Sequence, residues 1–134
     1  MTIGRLSSLR HLRRRCVRVR VAVPDPLYSA LAARLRDVLT DQLATEARLR
    51  SLSEEADAGI RALEAQIRGS ERRLRDLTED AASSLTEIAG ELRRVETLRP
   101  ELIELTSLQT ELDRRARELR TEWLLRQARS ARPS

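Results

Sequence analysis

The sequence predicts an all-α protein: long coiled-coil helices, as a helical hairpin or a three-helix arrangement, behind a basic, partly extended N-terminal arm. Three observations carry this. Hydrophobic residues make up 40% of the 134 positions and charged residues 35%, yet the only aromatics are Tyr28 and Trp123. The core must therefore be packed from Leu, Ile, Val and Ala rather than from large rings. Four Gly and four Pro are too few for a loop-rich or sheet-rich chain. From Leu49 onward, apolar residues return about every 3.5 positions, the spacing of helices that wind around one another.

The arm, residues 1–25, comes first. Ile3, Leu6, Leu9 and Leu12 recur every three residues among arginines, the pattern of a short amphipathic helix with a very basic remainder. Val17, Val19, Val21 and Val23 then alternate with Arg18, Arg20 and Ala22, which is a strand pattern. No second segment matches it, so such a strand must pair with another chain, contact a surface or stay disordered. Arg5, Arg10, Arg13, Arg14, Arg15, Arg18 and Arg20 face no acid anywhere in residues 1–23. They are the candidate contacts for an anionic partner, either nucleic acid or an anionic membrane surface. The arm has no aromatic residue to stack on bases.

The net charge of +5 is set by the two ends. Residues 1–23 hold seven Arg and 124–134 hold three, while 26–123 hold 16 Arg against 20 acids. The middle is thus slightly acidic, unlike a chain built along its length to neutralise phosphates. All 26 basic residues are arginine, as a GC-rich coding sequence would produce without any demand for guanidinium chemistry. Cys16 is the single cysteine, which excludes an intrachain disulfide and points to an intracellular chain, cytoplasmic or nuclear. Residues 1–16 also have the Arg-rich, acid-free composition of an organellar presequence, which would place the mature protein in a mitochondrion or plastid.

Pro24-Asp25-Pro26 closes the arm. Asp25 suits an N-cap and Pro26 the first helical position, so a helix is expected to start at Pro26 or Leu27. The coiled-coil region spans 26–128, with one helical stretch over 27–98, a break near Pro100 and a second stretch from 101 to 128. Residues 129–134 are a tail expected to fray. Reversal of the chain is expected at Pro100 or near Gly59, with Gly69-Ser70 as a further site and Ala82-Ser83-Ser84 and Gly90 as weaker ones.

The seam runs from Leu49 to Trp123 through 22 positions, of which 18 are Leu, Ile, Val or Trp. The candidate partner-binding residues on it are Leu63, Ile67, Leu74, Leu77, Leu85, Ile88, Leu92, Leu98, Leu102, Leu105, Leu112, Leu119 and Trp123. So narrow a stripe does not hold a lone helix together in water; it has to lie against other helices. Helices from other chains, identical or different, are the expected cover. Trp123, followed by Leu124 and Leu125, reads as a plug at the end of the bundle or as an anchor for a partner. Glu111 and Arg115 are spaced to pair along one helix face.

No catalytic set is present. His11, the only histidine, lies among arginines, and with Cys16 it does not make a zinc site. Glycine-rich phosphate loops are absent. The sequence therefore predicts a non-enzymatic coiled-coil subunit or adaptor of a larger assembly, without cofactor or small-molecule substrate. Nucleic-acid or anionic-surface binding through the arm is the alternative, and an organellar protein with a cleaved arm is another.

Overall fold

A computed structural model describes residues 26–132, so the arm with its strand pattern, Cys16, His11 and seven arginines lies outside the described residues. Three helices account for the regular structure among them: α1 (Pro26–Thr40), α2 (Glu46–Glu79) and α3 (Leu85–Ser130). At 1.5 Å per residue α2 is about 51 Å long and α3 about 69 Å.

Cross-contacts fix the topology. Ser53 Oγ on α2 donates to Asp113 Oδ1 on α3 at 2.6 Å, and Arg73 Nε on α2 donates to Glu91 Oε1 on α3 at 2.9 Å. Residues late in α2 thus meet residues early in α3, and the two helices form an antiparallel hairpin. The Gln66 amide donates to the Tyr28 hydroxyl at 3.3 Å and Arg34 pairs with Glu55, so α1 runs antiparallel to α2. Arg36 pairs with Glu104 and Arg115 reaches Val38, so α1 runs parallel to α3. The centre is an up-down-up bundle of three helices. Beyond the start of α1, the tip of the hairpin has two helices among the described residues.

Both turns are made by the same five-residue device. Asp41 Oδ1 accepts from the Leu43 N–H at 2.9 Å, and its carbonyl accepts from Ala44 at 3.3 Å. Asp80 does the same, with Ala82 at 2.9 Å and Ser83 at 3.1 Å. Four residues after each aspartate comes the cap of the next helix. Thr45 Oγ1 accepts from Arg48 at 3.1 Å, and Ser84 Oγ accepts from Thr86 at 3.1 Å and Glu87 at 3.4 Å. Such caps satisfy N–H groups that a helix start leaves without partners.

The start at Pro26 is as expected from the sequence. The weaker reversal site, Ala82-Ser83-Ser84, is where the chain turns between α2 and α3, and the rest of the segmentation is corrected. The stretch 27–98 is interrupted at 41–45 and 80–84, and no boundary falls at Pro100, which lies inside a continuous α3 that runs on to Ser130. Glu96, four residues before Pro100, is exposed, as is Pro100 itself, so water reaches the carbonyl that has lost its donor. Buried Leu98 and Leu105 on either side offset the cost of about 3 kcal/mol.

Gly59 is a contact point and not a turn. A Cβ there would sit 3.1 Å from Leu31 Cδ2 on α1 and 3.5 Å from Leu105 Cδ1 on α3. The missing side chain is what lets the three helices approach at that level.

Candidate interaction surfaces

Most of the seam is closed by the chain itself. Leu49, Leu52, Ala56, Ile60, Leu63 and Ile67 from α2 share one core with Leu98, Leu105, Leu112 and Ala116 from α3. Tyr28, Ala32, Leu35 and Val38 of α1 close the third side, and Leu102, Leu108 and Leu119 pack against its edge. The expectation that other chains complete this core is corrected over the bundle: Leu63, Ile67, Leu98, Leu105 and Leu112 are covered by their own chain. The reason is the reversal at Asp80–Ser84, which folds one half of the seam onto the other.

The seam opens at both ends. At the tip, Leu74, Leu77 and Ile88 are half-buried, Leu92 is 48% exposed and Leu85 is 82% exposed. Residues 76–92 carry Asp76, Glu79, Asp80, Glu87 and Glu91 and no arginine. At the opposite end α3 outruns its partners. Pairing of Ser53 with Asp113 puts Glu46, the first residue of α2, about level with Arg120. The last ten or so residues of α3, about 15 Å, project past the bundle. Trp123 is 45% exposed there, Leu124 49% and Leu125 53%. Trp123 therefore does not plug the bundle, because neither α1 nor α2 extends to its level. The Arg120 guanidinium lies 5.0 Å from its ring centre, a contact worth about 0.5–1 kcal/mol at an exposed site. Residues 123–132 carry Arg126, Arg129 and Arg132 and no acid.

Comparison of the chain with known protein families, with curated proteins and with solved structures finds no match. The two ends must therefore be read from their own chemistry.

One polar cluster holds the tip in register. Ser70 is fully buried between α2 and α3 and accepts from Arg73 Nη2 at 3.1 Å, while Arg73 Nε donates to Glu91 at 2.9 Å. The bond from Arg73 holds the Glu91 carboxyl below its ordinary value of 4.5; burial opposes this, and the Ser70 hydroxyl adds to the lowering. A carboxylate with a lowered folded pKa contributes stability above its unfolded pKa and loses it as pH falls through the folded value. Glu91→Gln is accordingly expected to lower the melting temperature at pH 7. The gap to the parent should close as pH drops below 4.5. A gap in thermal melts that stays constant from pH 7 to pH 2 would show that the charge of Glu91 is not what matters.

Sequence reasoning missed other exposed apolar residues. Leu43 in the first turn is 90% exposed and Ile103 on α3 70%. Both fall off the seam line: Ile103 follows seam residue Leu102, and Leu43 extends the apolar face of α1 by spacing but lies in the turn after that helix has ended. The expected Glu111–Arg115 pair does not form: Glu111 pairs with Arg114 at 2.7 Å, and Arg115 turns to α1. Among the described residues no cluster of three or more His, Cys, Asp or Glu could hold a metal ion. No helix there is long and apolar enough to cross a membrane.

Proposed function

We propose that this protein is a non-enzymatic helical adaptor, a subunit that joins a larger assembly by helix–helix association at the open ends of its bundle. One observation carries the reading. The apolar line is covered across the bundle and then reaches the projecting end of α3 uncovered at Trp123, with exposed Leu124 and Leu125 next to it around the helix. Leaving three large apolar side chains half in water forgoes about half of a full burial, or about 0.7–1.5 kcal/mol each, and Trp is among the residues enriched at energetic centres of interfaces.

The test is a photoreactive residue at position 124 in the cells that make the protein. Discrete covalent protein adducts are expected there and not from position 61, where the Arg61 side chain is 78% exposed on the bundle surface. The same featureless pattern from both positions, or none from either, removes the reading.

A second reading rests on the seven arginines of residues 1–23. It makes the protein a binder of nucleic acid or of an anionic membrane surface. Binding to duplex DNA, RNA or anionic vesicles should then fall steeply with salt. Replacing Arg13, Arg14 and Arg15 by Ser should weaken it at least tenfold; unchanged affinity would refute it.

A further inference from the structure

We propose that copies of this chain associate head to tail, the basic projecting end of α3 on one copy seating on the acidic hairpin tip of the next. The inference rests on the adaptor reading and names the partner as a second copy.

Each end has apolar side chains that are exposed among the described residues: Leu85 and Leu92 at the tip, Trp123, Leu124 and Leu125 at the projection. The two patches cannot meet within one molecule. Leu85 opens α3, and Trp123 lies near its far end, about 57 Å away along a continuous helix. Charge then selects among the pairings open to two copies. Glu91 is already paired with Arg73, so tip against tip would bring four acids to face four, and projection against projection would bring three arginines to face three. Tip against projection sets Asp76, Glu79, Asp80 and Glu87 against Arg126, Arg129 and Arg132. Opposite charge favours that encounter and like charge penalises the others. It also covers both apolar patches with one contact. An interface between two different surfaces of the same chain does not close on itself at two copies. It adds further copies, into a ring or an open filament, until geometry stops it.

The chain contains its own reporter, since Trp123 is the only tryptophan. The full chain should show a rise in weight-average mass beyond two copies as concentration increases, in sedimentation velocity. Its tryptophan emission should shift to the blue over the same range as the ring leaves water. Raising salt to 1 M should weaken the association at least tenfold. Two variants provide the decisive arm, both at exposed positions so that the fold is kept: Leu85→Ser at the tip, and Leu124→Ser with Leu125→Ser at the projection. Each alone should be monomeric. Mixed, they should form a one-to-one dimer that grows no further, because only one competent tip and one competent projection remain. A photoreactive residue at position 85 of the full chain should cross-link to residues 123–132 of another copy.

Several outcomes overturn the proposal: a monomer at every concentration, growth that stops at two copies, or a variant that still associates alone. Cross-links from position 85 that map to residues 76–92 or to the arm, residues 1–25, would overturn it as well. Failure of this proposal leaves the adaptor reading standing if position 124 still captures a different protein in cells. Absence of any adduct there ends both.

Discussion

Replacing Leu105 with alanine is expected to lower the unfolding free energy by about 3 kcal/mol. Leu105 is 1% exposed and lies where all three helices meet. Its Cδ1 approaches the bare Cα of Gly59 on α2, and Tyr28 and Ala32 of α1 share the same core. Truncation removes the transfer energy of the lost methyl groups and leaves a cavity. A helix backbone cannot collapse into that cavity without disturbing two neighbours. The matched control is Leu92→Ala, on the same helix but half exposed, which should cost less than about 1 kcal/mol. Urea denaturation followed by far-ultraviolet circular dichroism reads both. If the two losses prove equal, Leu105 is not at a three-helix junction, and α1 does not cover the hairpin as described.

The second large effect is expected at Arg115. Its Nη1 donates to the carbonyls of Val38 at 3.1 Å and Leu39 at 2.7 Å, and its Nη2 donates to that of Asp41. These carbonyls lie at the end of α1 and the start of the turn, where the helix dipole is negative; Val38 and Asp41 each also accept one backbone N–H, from Asp41 and Ala44. One planar guanidinium therefore caps α1 from α3, and does so from a half-buried position. Arg115→Met keeps the stem and removes the cap. It should cost about 2 kcal/mol, in the range for bonds to a charged group. Arg115→Lys should recover only part of this, because a single ammonium cannot span three carbonyls as a fork does. Hydrogen exchange separates the roles: α1 amides should lose protection at least tenfold while those of α2 near Ile60 change less. Uniform loss across all three helices would mean that Arg115 supports the whole bundle and not the end of α1.

The tip and the projection were partly legible beforehand. Leu85, Leu92 and Trp123 stand on the seam line, and the basic C-terminal end is visible from charge alone. What the residue pattern did not reveal is which seam residues stay uncovered. That depends on where the chain reverses, and glycine and proline pointed to the wrong places. Gly59 is needed for close approach of helices, and Pro100 sits on an outward, exposed face of a helix that continues through it. The two real turns carry a subtler signature, an aspartate followed four residues later by a hydroxyl cap, in Asp41–Thr45 and in Asp80–Ser84. Ser84 and Glu87 also have the spacing of a capping box. The second turn coincides with the weaker site at Ala82-Ser83-Ser84; the first is not marked by glycine or proline, and a cap worth about 1 kcal/mol is a faint signal beside a long run of leucines.

From residues alone, then, the helical class, the start at Pro26 and the existence of a line of apolar positions needing cover were all determined. Helix period, proline geometry and the aversion of leucine for water act locally and need no knowledge of the rest of the chain. The tertiary structure alone decided that the cover over the bundle comes from the same chain, that α1 is the third wall, and that α3 outruns its partners by about 15 Å. Those facts follow from register, the matching of one helix against another over tens of residues. A repeating seam offers many nearly equivalent registers. The choice among them falls to single, non-repeating contacts such as Ser53 with Asp113, Arg73 with Glu91 and Arg115 with the end of α1.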